Sequence, residues 1–468
     1  MKKFTKIVAT VSDRHCDVEF LRRLTEAGMN VVRMNSAHLD AEGFEKIVAN
    51  ARLASDSLGI MLDTKGPEVR TTGTADSQPI QFEEGDICRL VGKPDTPTTH
   101  DLISVNYSAI CRDLRPGAHV LVDDGALEFV VEAVAEDRAR LRALNSGLLG
   151  SHKGVNIPGI PLDLPAVSER DRQNIALAEH LDVDFVAHSF VRSAADVAEV
   201  QAVLDSLGSS MKIISKIENQ QGVDNFDEIL EASYGIMIAR GDLGIEVAAE
   251  RIPAMQTMMV RKCIQAHKPV IVATQMLHSM IEHPRPTRAE VSDVANAVYQ
   301  RADAMMLSGE TAQGRYPVEA LETMARVAAE VESSMIQEMP VPEMSDRKIT
   351  SFLSRQAVLS AARLGTKAIL ADAYRGVTAR FIASYRGMVP TIAFCHNPHV
   401  QRWLSLSYGV RAFTMEDERQ KGFRHPVRAL RRLAHEGLLD PADVVAYLSG
   451  TDSGATSLEI DTLENLYK

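Results

Sequence analysis

Two short apolar runs end in charged residues. KIISKIE (residues 212–218) closes on Lys216 and Glu218, and GIMIARGD (residues 235–242) closes on Arg240 and Asp242. Strand side chains alternate faces, so Lys216 and Glu218 should point one way, and Arg240 and Asp242 should share a face. Two carboxylates and an ammonium group then converge. Carboxylate oxygens with no histidine or cysteine beside them suit a hard cation such as Mg2+, and a lysine next to that metal suits a phosphate or an enolate. The pattern therefore points to phosphoryl or enolate chemistry, with an ordinary ion pair at a strand end as the competing reading.

These runs belong to a set of eight: KIVATV, NVVRMN, GIMLDTK, VDFVAHSF, KIISKIE, GIMIARGD, PVIVATQ and AMMLSGE. Fully apolar strands separated by amphipathic helices imply a parallel sheet, and eight imply a closed (β/α)8 barrel. Ser193-x-x-Asp196 and the capping box Thr287-Arg288-Ala289-Glu290 mark helix starts. Such barrels carry their sites at the C-terminal strand ends. Here those ends hold Arg33 and Asn35, Asp63 and Lys65, Lys216 and Glu218, Arg240 and Asp242, Thr274, then Ser308 and Glu310.

After the third strand the helical period fades. HVLVDDGALEFVVEAV alternates, with Asp124-Gly125 as a hairpin signal, so a small β domain, expected as a β-barrel, is inserted at the rim, where it could close over a ligand. Beyond the linker-like MPVPEM, strands AILAD, TIAF, VRAFTM and VVAYLSG alternate with helices, and SLEIDTLE follows. That is a separate α/β domain with a mostly parallel sheet and an added edge strand.

The chain has 468 residues, enough for two or three domains, and 45% hydrophobic and 24% charged residues, an ordinary globular balance. A formal charge of -12 argues against a nucleic-acid partner. Five scattered cysteines fit reduced thiols, and no run reaches membrane-spanning length, so no membrane association and a cytoplasmic location are expected.

Taken together, VVRMNSAH, DTKGPEVRT, KGVNIPG, ISKIENQQG, ARGDLGIE, VATQML, PRPTRAEVSDVANAV and LSGETAQGRYP resemble the pyruvate kinase family over most of the chain. The resemblance implies a barrel A domain (residues 1–66 and 163–338), a β-rich lid B domain (67–162) and a C-terminal α/β regulatory or assembly domain (339–468). It implies transfer of the phosphoryl group of phosphoenolpyruvate to ADP, Mg2+ and K+ as cofactors, and a homotetramer. By the same resemblance Glu218 and Asp242 hold Mg2+, Lys216 and Arg33 stabilise the moving charge, and the substrate carboxylate docks on the backbone at Ala239 and Gly241. Thr274, with Ser308, serves protonation of the enolate. Arg33, Asn35, His38, Arg70 and Lys153 contact the nucleotide, and Asn35, Asp63 and the Thr64 carbonyl contact K+.

Three places depart from the family pattern. Ala37 stands where a serine hydroxyl binds K+, while Glu68 supplies a negative charge that a monovalent cation would balance, so K+ activation is expected, though weak. His278 replaces a common glutamate and reads as a surface histidine. Residues 371–376 (ADAYRG) lack the hydroxyls of a phosphate loop, and Asp372 would repel a phosphate, so activation by fructose 1,6-bisphosphate there is not expected. Residues 450–454 read as a turn. Two alternatives remain. A metal-dependent barrel aldolase or lyase would not need ADP, and a degenerate binding relative would tolerate Lys216→Met.

Overall fold

The computed structural model describes residues 3–335, 342, 348–416, 426–451 and 453–468. Apart from Pro342, the MPVPEM stretch and the expected boundary at 338/339 lie outside them. Eight parallel strands close into a barrel. Around it run Lys6–Thr10, Ala304–Leu307, Val270–Ala273, Gly235–Ala239, Lys212–Ile217, Phe185–His188, Gly59–Asp63 and Val31–Asn35, the last pairing with the first.

The period of two decides what each face meets. Val8, Val31, Met61, Phe185, Ile214 and Met237 fill the barrel interior, whereas their neighbours Ile7, Val32, Ile60, Val186, Ile213 and Ile236 pack in the outer layer with the helices. Counting on by two from Val31, Met61, Ala187 and Ile214 gives Arg33, Asp63, Ser189 and Lys216. The inward register thus carries these polar side chains to the C-terminal mouth.

Helix starts follow the local chemistry. Asp17 and Asp40 accept from Phe20 and Gly43 N–H, and Thr287 and Glu290 form the capping box. Ser193 takes the N-cap position of Ala194–Leu207 without a capping hydrogen bond, and the Asp196 carboxylate accepts from Arg192 N–H. One expected strand end is different. The strand stops at Ala239, and Arg240–Glu246 is a short helix, so Arg240 and Asp242 do not alternate on a strand.

Between Asp63 and the helix Glu169–His180 the chain builds a six-stranded and a two-stranded sheet around Phe82, Leu90, Val120, Phe129 and Leu141. Its hairpin from His119–Val122 to Leu127–Val134 turns through Asp123, Asp124 and Gly125, all at positive φ.

The C-terminal sheet runs Val410–Thr414, Thr391–Cys395, Ala368–Ala373, Val444–Thr451 and Gly454–Thr462, with only the final edge strand antiparallel. Residues 371–373 therefore lie inside a strand, and the expected phosphate-loop stretch begins only at Tyr374. Asp372 is buried, accepting from the Tyr447 hydroxyl (3.0 Å) and Gly450 N–H (3.4 Å), so it stitches the sheet rather than facing a ligand. Gly450 pairs with Ala455 and Thr451 with Gly454 where the chain enters the edge strand, and Asp452 lies outside the described residues. Leu406 and Trp403 from this part of the chain join the inner barrel cluster and plug its N-terminal end.

Candidate active site

At the mouth the inward strand ends form one chain of buried ion pairs. Arg33 Nε donates to Asp63 Oδ2 (2.6 Å) and its Nη1 to Thr10 Oγ1 (2.9 Å). Lys216 Nζ lies 3.0 Å from Asp63 Oδ1, 3.0 Å from Glu218 Oε1 and 2.8 Å from Ser189 Oγ. Asp63 and Glu218 are each 1% exposed. Glu218 also accepts from Phe190 N–H (2.7 Å), and Ser189 Oγ donates to the Thr64 carbonyl (2.6 Å).

The charges do not balance. Burial works against both ions, yet Asp63 and Glu218 together hold the Lys216 ammonium above its usual range. Asp63 is held low because Arg33 and Lys216 outweigh its burial. Glu218 is pushed up to about 7, by burial first and then by Asp242 and Asp63 against the pull of Lys216. The ammonium is the fixed charge, and the Glu218 carboxylate is the one in surplus.

Asp242 reaches the mouth from the first turn of the helix after Ala239 and lines a cleft of about 420 Å³ between the barrel rim and the insertion. Glu68, Arg70, Asp124 and Asn156 line it from the insertion, and Phe190 and Glu246 from the barrel. Asn156 Nδ2 donates to Glu246 (3.1 Å), joining the two sides. Burial raises Asp124, and Asp242 is the next cause, which places the hairpin tip over the mouth. Among the described residues no group of three or more His, Cys, Asp or Glu is arranged to hold a metal.

Other sequence-picked residues are occupied by near neighbours. Thr274 Oγ1 donates to the Ala273 carbonyl and accepts from Gly241 N–H, both at 2.7 Å. Arg240 leaves the mouth for Asp293 (2.8 Å) and the Thr274 carbonyl (2.7 Å). Ser308 N–H donates to Glu310 (2.8 Å), whose other oxygen takes Leu277 N–H. Asn35 Oδ1 takes Ala37 N–H (3.1 Å), and Asn35 is the register partner of Asp63. His38 is exposed, and so is His278. Arg70 pairs with Glu68 (2.6 Å), and Lys153 with Asp123 (2.9 Å). Lys65 also approaches Glu68 (3.7 Å), so the negative charge expected to need a monovalent cation is already balanced within the chain.

Sequence reasoning passed over Ser189, which sits in VDFVAHSF two positions past Ala187 on the inward register. It read Asp124 only as a turn residue. Period two could have found the first, but only the folded hairpin places the second.

A closed barrel with a β insertion over a charged mouth and an α/β sheet at its back defines a multidomain protein of the (β/α)8-barrel class with its candidate site at the C-terminal strand ends. The family models "Pyruvate kinase, barrel domain" and "Pyruvate kinase, alpha/beta domain" match residues 2–321 and 352–463. The pyruvate kinase of Borreliella burgdorferi is 42% identical, covering 100% of this chain and 99% of its own. Pyruvate kinase 1 of Saccharomyces cerevisiae is 38% identical, with 98% and 96% covered. A crystal structure of a pyruvate kinase from Cryptosporidium parvum superposes with a TM-score of 0.91 at 36% identity, covering 98% and 96%. The chain belongs to the pyruvate kinase family. No helix among the described residues is long and apolar enough to cross a membrane.

Proposed function

We propose that the mouth transfers the phosphoryl group of phosphoenolpyruvate to ADP, giving pyruvate and ATP. The buried chain Arg33–Asp63–Lys216–Glu218 under the insertion is the observation that carries this reading. Phosphoryl transfer asks mainly for positioned positive charge around the moving group, and Arg33 and Lys216 supply it on an inward register that their carboxylate partners hold rigid. The bond from phosphorus to the enolate oxygen breaks as a bond to the terminal phosphate oxygen of ADP forms. The enolate then takes a proton at carbon.

Thr274 serves that protonation in this reading. Its own hydrogen is committed to the Ala273 carbonyl, so it acts through water or after its hydroxyl turns, with Ser308 in the same relay. The substrate carboxylate docks on the backbone at Ala239 and Gly241, the N-terminal turn of Arg240–Glu246. Arg33, Asn35, His38, Arg70 and Lys153 meet the nucleotide, the last two from the insertion.

An all-oxygen donor set with surplus negative charge fits Mg2+, which needs only one or two carboxylates plus substrate oxygens. Glu218 and Asp242 would hold it. When bound, the ion would polarise the phosphoryl oxygens and offset their charge. Asn35, Asp63 and Thr64 offer K+ neighbouring strand-end oxygens. The same reading carries a homotetramer and the division into residues 1–66 with 163–338, 67–162 and 339–468. In a lactate-dehydrogenase-coupled assay, turnover should need phosphoenolpyruvate, ADP and Mg2+ together. Pyruvate release without ADP would move the chain to the lyase reading.

A further inference from the structure

The turn after the strand Val270–Ala273 is folded against its residue types. Thr274 and Gln275 stand at φ 68° and 54°, two consecutive non-glycine residues in the left-handed region, and a β-branched threonine is poorly suited to it. Such a conformation persists only where neighbouring groups impose it.

Arg240 imposes it. The guanidinium sits inside the turn, where Nη2 donates to the Thr274 carbonyl (2.7 Å) and to Met276 Sδ (2.9 Å), and Nε to the Ala273 carbonyl (3.3 Å). Asp293, on the helix Arg288–Tyr299, anchors its other side, 2.8 Å from Nη1. The next residue along, Gly241, donates its N–H to Thr274 Oγ1 (2.7 Å), so two consecutive residues grip the threonine by carbonyl and by hydroxyl. The buried Ala273 carbonyl accepts from both Arg240 Nε and the Thr274 hydroxyl. When that hydroxyl turns toward substrate, the guanidinium keeps the carbonyl satisfied. The arginine's charge is spent on Asp293, away from the transferring phosphoryl group.

We propose that Arg240 is a positioning residue for the protonation step. Anchored by Asp293, it holds the 273–276 turn in its left-handed form, frees the Thr274 hydroxyl to rotate, and so aims that hydroxyl and its water at the enolate carbon. The proposal rests on the role of Thr274 in the transfer described above. In that step a proton passes from the water to carbon, the enolate supplies the electron pair, and solvent returns a proton to the hydroxide left behind.

Protonation and phosphoryl transfer can be read separately on the full chain. Exchange of pyruvate methyl protons in D2O with Mg2+ and ATP, followed by NMR, reports the first. ATP formed in a single turnover of phosphoenolpyruvate and ADP reports the second. Arg240→Met should lower exchange about tenfold to a hundredfold, the cost of a misplaced reacting group, while single-turnover ATP formation changes less than about threefold. Arg240→Lys can still donate to a carbonyl and should restore part of the exchange. Asp293→Asn alters a partly exposed side chain, so it folds even where Arg240→Met does not, and it should lower exchange about threefold or more. Thr274→Val should lose exchange at least as steeply as Arg240→Met. Parent-like exchange in Arg240→Met or Asp293→Asn beside a loss in Thr274→Val overturns the positioning role alone. Equal losses of exchange and ATP formation in Arg240→Met also overturn it, because the arginine would then support the whole mouth. Parent-like exchange in Thr274→Val overturns the reading of Thr274 together with the proposal.

Discussion

The barrel has two charged ends built from the same residue types, and they spend their charges differently. At the N-terminal end Asp184 accepts from Arg402 (2.5 Å), Arg52 (2.9 Å) and Ile60 N–H (2.8 Å). Asp303 receives both arms of Arg386 (3.0 and 2.6 Å) together with Tyr408 N–H (3.1 Å) and Val270 N–H (3.2 Å). There the acids are outnumbered by fixed donors, and the bonds fasten the α/β domain to the barrel. At the mouth, among the described residues, the cations paired with Asp63 and Glu218 are Arg33 and Lys216, and Asp242 adds a third acid. Matched buried charge acts as a fastening, whereas a surplus carboxylate leaves a place for a cation and its substrate.

The largest expected effect breaks the mouth. Lys216→Met should lower turnover by about a thousandfold, because a charge aimed at the transferring group is lost. Melting temperature should fall as well, because the buried Glu218 loses its cation while Arg33 still pairs with Asp63, so turnover is compared well below the transition. Parent-like turnover would remove Lys216 from the chemistry and bring back the reading of a binding relative.

The next effect breaks the other end. Arg386→Met leaves the 3% exposed Asp303 without its guanidinium, and breaking a buried pair from one side costs about 3 kcal/mol or more. Thermal melting should show a clear loss of stability. Turnover measured well below the transition should stay close to the parent's. If activity falls as steeply as in Lys216→Met, the division of labour between the two ends is wrong.

A smaller change sharpens the same contrast. Ser189 Oγ accepts from Lys216 and donates to the Thr64 carbonyl, so Ser189→Ala removes a positioning group without removing a charge. A loss of about tenfold in turnover is expected, the worth of one hydrogen bond to a charged group. The loss should fall on kcat rather than KM, and Ser189→Thr should restore part of it. An equal loss in KM alone would make Ser189 a ground-state contact.

The contrast also separates what the sequence reveals from what it hides. Arg33, Asp63, Lys216 and Glu218 were legible because period two runs unbroken through the strand ends, and apolar runs fix which parity faces inward. Asp184 and Asp303 stand at strand starts with equal chemistry, but their partners lie 218 and 83 residues away at Arg402 and Arg386, and no local pattern announces that pairing. Arg240 misled for a local reason. The apolar run GIMI carries the alternation into ARGD, but the strand ends at Ala239 and Arg240–Glu246 is a helix, so the alternation does not extend to Arg240 and Asp242. In the C-terminal sheet AILAD reads as a strand, but the phosphate-loop pattern laid over residues 371–376 reaches back into it, and Asp372 is satisfied by Tyr447 and Gly450 inside the sheet.

The smallest expected effect concerns the monovalent cation. Ala37 offers no hydroxyl, and Glu68 already meets Arg70 at 2.6 Å and Lys65 at 3.7 Å, so two of the reasons for a strong K+ requirement are weakened. What remains is Asn35, Asp63 and the Thr64 carbonyl, and each of these already carries a hydrogen bond within the chain. A carbonyl or carboxylate oxygen has a second lone pair, so occupancy does not require breaking those bonds. Replacing K+ by tetramethylammonium at fixed ionic strength should therefore lower the initial rate only a few-fold, far less than Lys216→Met does. Glu68→Gln should leave that ratio almost unchanged, because its charge is spent on Arg70. Should the ratio collapse in Glu68→Gln, the cation is held by the insertion's carboxylate, and the surplus charge at the mouth extends further than Asp63, Glu218 and Asp242.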